Sequence, residues 1–255
     1  DDVESRGLGD VYKRQEYIKT NHLGAVDLIK RDIVSLYEED FWKLDDTGRA
    51  AAMFDAIPAQ LSKNASRFQI SASIPGERAE RVTSVVKMMN DCMATNVAYH
   101  SNDPNIGLAL TMDHERFKIY ASDTGLFVTL AFKDKGFTEN SIYEKLLNDK
   151  LSTNLGYVYE NVIAQMLRAS GKQLFYHTIP TPDRKKYYEI DFLIADEYKV
   201  SPIEVKSSGY KSHTSLDVFC KKYSDRIQNR YIIYTKDLKR EQGIDYIPVY
   251  MTMFL

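Results

Sequence analysis

Three ionisable residues interrupt two otherwise apolar stretches in the C-terminal part of this 255-residue chain. Asp191 stands in Ile190-Asp191-Phe192-Leu193-Ile194, and Glu204 and Lys206 stand in Pro202-Ile203-Glu204-Val205-Lys206. The surrounding Ile, Phe, Leu and Val read as strands covered on both faces, where a charge is costly unless it meets another charge or a metal. Side chains at i and i+2 of a strand share a face, so Glu204 and Lys206 point together while Ile203 and Val205 point the other way. If the two strands are neighbours, Asp191 is expected to meet Glu204 on one side of the sheet.

Two converging carboxylates raise each other's pKa unless a cation sits between them. Mg²⁺ suits such a pair, because it is a hard ion that binds through one or two carboxylates and keeps several waters. Bound there it would supply a water that is nucleophilic near neutral pH and stabilise charge building on phosphorus. Lys206 would orient that water or offset charge at the phosphate as a compact ammonium. Glu160, on the segment before the strands, could add a further carboxylate. The expected metal set is Asp191, Glu204 and Glu160, and the catalytic set adds Lys206. A bare Glu-x-Lys arises easily by chance, and Glu197-Tyr198-Lys199 is such a case in a polar turn. Pro182-Asp183 likewise sits in a Thr/Pro/Arg/Lys loop. Position separates the real candidate from these two: an acid in one apolar strand, Glu-x-Lys in the next, and a helix carrying an acid before both. The competing explanation is edge-strand charge facing solvent.

The elements that must position these residues follow from periodicity. Leu155 to Leu167 is helical, Leu174–Thr178, Tyr187–Ala195 and Val200–Lys206 are strands, and Leu216–Tyr223 is a helix. Tyr231–Thr235 and Ile247–Tyr250 complete an αβββαβ(β) order. Upstream, 17–37 reads as one or two amphipathic helices, and Ala50–Leu61 as two short helices because of Pro58. Ala79, Val82, Val85, Val86 and Met89 form a helical stripe to about Cys92. Short β-prone pieces follow at Val97–His100 and Phe117–Ala121, in the order of a winged-helix module with a two-stranded flap. A polar connector with one short helix is expected around 134–149. The fold class is α/β (α+β overall).

At this point a family resemblance becomes specific. Asn154-Leu-Gly-Tyr-Val-Tyr-Glu-Asn-Val-Ile-Ala-Gln-Met-Leu167, the Asp191 strand, Ser201-Pro-Ile-Glu-Val-Lys-Ser-Ser208, Ser215-Leu-Asp-Val-Phe-Cys-Lys-Lys-Tyr223 and Tyr246-Ile-Pro-Val-Tyr250 resemble the C-terminal part of a prokaryotic ATPase family. Its members join an AAA+ ATP-binding domain to domain-of-unknown-function family 4143, which is similar to PD-(D/E)xK, restriction-endonuclease-like nucleases. Phe54 to Ser71 and Phe117-Lys-Ile-Tyr-Ala-Ser-Asp-Thr-Gly-Leu-Phe127 also resemble it, so the likeness spans 17–255. It implies helices 16–45 left from an ATPase domain, a winged-helix-like domain over 46–135, and a nuclease-like domain over 136–255. The family's helix acid, strand Asp and Glu-x-Lys carry over to Glu160, Asp191, Glu204 and Lys206. Gly-x-x-x-x-Gly-Lys-Ser/Thr is absent, so ATP is expected only through a missing N-terminal domain. Residues 1–15 look like an in-frame translation of a transposon-type sequencing adapter and are expected to make few contacts.

The resemblance and the site together suggest a DNA-associated, Mg²⁺-dependent phosphodiesterase. The alternative is a DNA- or protein-binding module that keeps the nuclease fold without catalysis. From Leu151 onward 15 Lys and Arg stand against 12 Asp and Glu, which is too mild to announce a nucleic-acid binder. Candidate backbone contacts are Arg78, Arg81 and Lys87 on one helix, Arg116 and Lys118 in the flap, and Lys221 and Lys222 after the Glu-x-Lys strand. The five histidines are scattered in sequence. Cys92 and Cys220 lack a paired spacing, as expected of free thiols in the cytoplasm. No apolar run is long enough to cross a membrane, so no membrane partner is expected.

Overall fold

In the computed structural model, which describes residue 13 and residues 15–63, 65–105, 107–134, 156–196 and 198–255, the helical stripes become helices packed against a sheet. Helix α1, Leu23–Leu44, follows helical residues 15–20 and buries Val34 and Phe41. Helix α2, Arg49–Ser62, is continuous rather than broken at Pro58. Met53, Phe54, Ile57 and Leu61 are buried on both sides of the proline, and their packing holds the helix together across the missing N–H. Helix α3, Ala79–Asp91, buries Val82, Val85, Val86 and Met89 as their spacing predicts.

The hairpin expected as a wing does not stand apart. Strands β1, Thr95–Ser101, and β2, Met112–Ala121, pair antiparallel. Helix α4, Thr124–Ala131, follows, its N-terminus capped by Asp123, which accepts the Leu126 N–H at 2.9 Å. Then come α5, Gly156–Ala169; β3, Leu174–Pro180; β4, Tyr187–Asp196; β5, Lys199–Lys206; α6, Thr214–Lys222; and β6, Tyr231–Tyr234. The β-ribbon β7, Lys239–Glu241, and β8, Ile244–Pro248, closes the chain. The expected last strand thus starts earlier, and Val249–Phe254 is a 3₁₀ turn. Gln242 and Gly243 both have positive φ, 52° and 76°, the backbone of a tight hairpin turn.

Among the described residues the strands form one mixed sheet of eight, in the order β2-β1-β3-β4-β5-β6-β8-β7. Strand β1 runs parallel to β3, with Tyr99 opposite Phe175 and His100 opposite Tyr176. A flap strand would have one wet face; β1 is buried at nearly every position and serves as an inner strand. One core, containing Met53, Phe54, Phe127, Ile163, Phe192, Ile194 and Ile203, lies under α1 to α5. The other, containing Ile190, Leu193, Leu216, Phe219 and Ile232, lies under α6.

Helix α5 is pinned to the upstream half by polar contacts. Buried Asn161 accepts the Ala121 N–H at 2.9 Å and donates to the Ala121 carbonyl at 3.1 Å and to Thr124 Oγ1 at 3.0 Å. Gln165 Oε1 accepts the Thr124 N–H and hydroxyl at 2.9 and 2.8 Å. Lys13, inside the stretch read as adapter-derived, forms an ion pair with Asp123, a tertiary contact that the adapter reading did not anticipate. The connector helix expected near 134–149 lies outside the described residues apart from Asp134.

A candidate active-site cleft

The cleft opens where β4 and β5 part. Their antiparallel ladder runs from Asp196↔Lys199 to Phe192↔Ile203. One residue beyond, the Asp191 carboxylate accepts the Val205 N–H at 2.7 Å, so a side chain takes over from the ladder. On its other side β4 carries a bulge: from Phe175↔Leu193 to His177↔Ile190, β3 advances two residues and β4 three. Bulges re-aim side chains, and this one falls at Asp191 and Phe192.

The bulge corrects the expectation of a shared face. Ile203 and Val205 pack with the core under α5, so Glu204 and Lys206 leave β5 on the α6 side. Ile190 and Leu193 belong to the α6 side, and the groups that act on Asp191 most strongly, Glu160, Lys118 and Glu189, lie under α5. Asp191 and Glu204 therefore approach from opposite faces. They still line one cleft of about 570 Å³, together with Glu160, Lys206, Lys118 and Glu189. All four predicted site residues are in it.

Within the cleft the charges divide into two groups. Lys206 Nζ lies 2.6 Å from Glu204 Oε1, and the second carboxylate oxygen of Glu204 is buried with no hydrogen-bond partner among the described residues. Deeper in, Lys118 is 5% exposed, paired with Glu189, 3.6 Å from Glu160, and 5.7 Å above the Tyr176 ring. Tyr120 donates to Glu160 at 3.4 Å and its ring lies tilted against Phe192, with ring centres 5.6 Å apart. Burial, then the charges of Glu160, Glu189 and Glu204, hold the Asp191 carboxyl well above the ordinary carboxylate range, against the pull of Lys118. Burial raises Glu189 as well, with Lys118 opposing. For Lys118 burial alone would lower the pKa, but Glu189, Tyr120, Glu160 and Asp191 outweigh it and raise it well above its usual value.

Lys118 was expected as a DNA contact in a wing and is instead an interior member of the site. Arg116 is also engaged, donating to Thr178 Oγ1 at 2.9 Å on β3. Arg78 at the start of α3, Arg81 and Lys87 on it, and Lys221 and Lys222 on α6 are exposed and do not line the cleft. The scattered histidines conceal a pair: His100 and His177 stack with ring centres 5.2 Å apart. Glu189 went unread, although it stands two residues before Asp191 in the same strand. Of the two Glu-x-Lys sequences, Glu197 lies outside the described residues and Tyr198 beside it is 84% exposed, as a polar turn requires.

The described chain is thus a mixed α/β protein with an acidic, lysine-bearing cleft at the open end of two diverging strands. Residues 155–252 match the family described as domain of unknown function DUF4143. Residues 14–137 match a second domain of unknown function, DUF8612. No curated protein and no solved structure matches the chain. The cleft draws on both matched segments, Lys118 from 14–137 and its acids from 155–252.

The donor set fits Mg²⁺ in part. Among the described residues no three His, Cys, Asp or Glu side chains stand together as a ready cage. Mg²⁺ asks less than that, since one or two carboxylates and retained waters suffice. The unpartnered Glu204 oxygen and the strongly proton-holding Asp191 are what such an ion would relieve.

Proposed function

We propose that the cleft is the site of a Mg²⁺-dependent phosphodiesterase acting on nucleic acid, with Asp191 and Glu204 holding the ion. The observation that carries this reading is the buried, unpartnered Glu204 oxygen in a cleft shared with Asp191. When bound, the ion would supply a water of lowered pKa and offset charge at the phosphate. Lys206, fixed by Glu204 and about a quarter exposed, presents its ammonium to a phosphate entering the cleft and balances charge that builds there. The Ser207, Ser208 and Ser215 hydroxyls line the same wall and can donate to phosphate oxygens. Glu160, with Tyr120 and Lys118 as neighbours, sets the local field and is a further candidate ligand.

The resemblance across 17–255 supports the finer reading: a PD-(D/E)xK, restriction-endonuclease-like domain, DNA as substrate, and work alongside an AAA+ ATP-binding domain. Cys92 and Cys220 lie in unrelated segments with no paired spacing, which fits a reducing, cytoplasmic setting. Full-length protein with Mg²⁺ or Mn²⁺, with and without ATP, is expected to nick or cut DNA. Asp191→Asn abolishes the cleavage and Glu197→Gln leaves it unchanged. If neither DNA nor RNA is cut under any of these conditions while nucleic acid binds with a steep salt dependence, the nuclease reading falls and a binding module remains.

A further inference from the structure

Two of the three lysines that line the cleft do different work. Lys206 sits near the mouth on Glu204, whereas Lys118 is nearly enclosed, delivered from β2 of the other matched segment into the Glu160, Glu189 and Asp191 group. A lysine is rarely so buried unless paired, and here two carboxylates are within ion-pair reach. Its ammonium occupies the place among Glu160, Glu189 and Asp191 that a second cation would otherwise take. Charge balance points the same way. Four carboxylates, Glu160, Glu189, Asp191 and Glu204, face two ammonium groups, Lys118 and Lys206. With all four acids ionised, the remainder is two negative charges, the charge of one divalent cation. Lys186 at the rim is exposed and adds little, being screened by solvent.

We infer that Lys118 is a tethered cation that fills the inner half of this acid cluster, limits the cleft to a single divalent ion, and makes the site a joint product of the two segments. The inference rests on the metal-binding reading proposed above. Lys118 acts through the acids it neutralises, as a positioning residue, with no contact to substrate.

Counting bound Mn²⁺ on the full chain by the electron paramagnetic resonance of the free ion separates the possibilities without any activity measurement. The wild-type protein is expected to bind one ion. Glu189→Gln removes a charge without removing a ligand, so affinity falls roughly tenfold or more. Adding Lys118→Met to Glu189→Gln restores the charge balance and brings affinity back to within roughly threefold of wild type. Lys118→Met alone gains a second ion; should that single variant fail to fold, the paired variant still decides. Two ions on the wild-type protein, or no recovery in the paired variant, overturn the tethered cation and leave the metal reading standing. If no variant binds Mn²⁺, both fall.

Discussion

The Asp191 carboxylate accepts the Val205 N–H at 2.7 Å, one residue past the last ladder pair of β4 and β5. This contact fixes the acid at the fork of the strands and satisfies a backbone donor that the parted ladder leaves behind. The same side chain thus has a structural task and a proposed chemical one. Asp191→Asn keeps an acceptor oxygen and should leave the unfolding free energy within about 1 kcal/mol of wild type. Asp191→Ala orphans the Val205 N–H and is expected to cost about 1–3 kcal/mol beyond any relief of buried charge. Both should lose divalent-ion binding. Urea unfolding and Mn²⁺ titration check the pair, and equal stability of the two variants would remove the Val205 contact from the account.

Asn161 makes a different kind of prediction. It is fully buried and bridges both polar groups of Ala121 and the Thr124 hydroxyl, thereby locking α5, which carries Glu160, against the end of β2. Asn161→Ala leaves a buried N–H and carbonyl without partners and should destabilise the protein by about 2–4 kcal/mol in denaturant titrations. Asn161→Asp, which can still accept from the Ala121 N–H but cannot donate, should fall between the two.

What could be read in advance follows from the range of the interactions. Asp191, Glu204 and Lys206 were visible because a charge among Ile, Val and Phe is an anomaly within five residues of itself. The αβββαβ order was visible because strand and helix periods are local. Lys118 was misplaced because its partner Glu189 is 71 residues away, and only the parallel pairing of β1 with β3 brings β2 into the same sheet. Read alone, β1 and β2 are a hairpin, and a hairpin after three helices looks like a wing. The shared face of Asp191 and Glu204 failed for a similar reason. Strict alternation along β4 is correct until the bulge, and that bulge is set by its mismatch with β3. The charged strand Lys239–Glu241 carries no hydrophobic signal at all; only the turn at Gln242-Gly243 marks it.

The buried histidine pair gives a pH prediction with a definite sign. Burial first, then Arg116 and His177, hold His100 down to about 4, with Asn102 and Asp113 opposing. Burial first, then Lys222 and Arg116, hold His177 down to about 4, against the Ser101 carbonyl and Asp103. Both folded values lie below the unfolded value of 6.5, so the neutral rings favour the fold. Their contribution is complete above pH 6.5 and is lost as pH falls through 4. Asp191 and Glu189, with raised values, act in the opposite direction, so the histidine effect is isolated by comparison. The double variant His100→Gln, His177→Gln should be less stable than wild type at pH 7, and the gap in Tm should narrow by roughly 5 °C or more by pH 4. A gap independent of pH would mean the pair is not held neutral.

Lys206 tests whether the cleft does more than bind. Its ammonium lies 2.6 Å from Glu204, so it already offsets the charge of a proposed metal ligand. Removing it in Lys206→Ala leaves Glu204 more negative, and the attraction for a divalent ion should hold or increase. Under the phosphodiesterase reading, the same change removes the cation that faces charge developing at the phosphate, and cleavage should fall by roughly 100-fold or more. Lys206→Arg keeps the charge but replaces a compact ammonium with a planar fork, and should recover only part of the rate. Affinity retained with activity lost is a pattern that a purely structural lysine does not give, because misfolding would lower both. Metal titration beside single-turnover cleavage reads the two quantities separately. A parallel loss of affinity and rate would assign Lys206 to the support of Glu204 and leave the developing charge without its proposed partner.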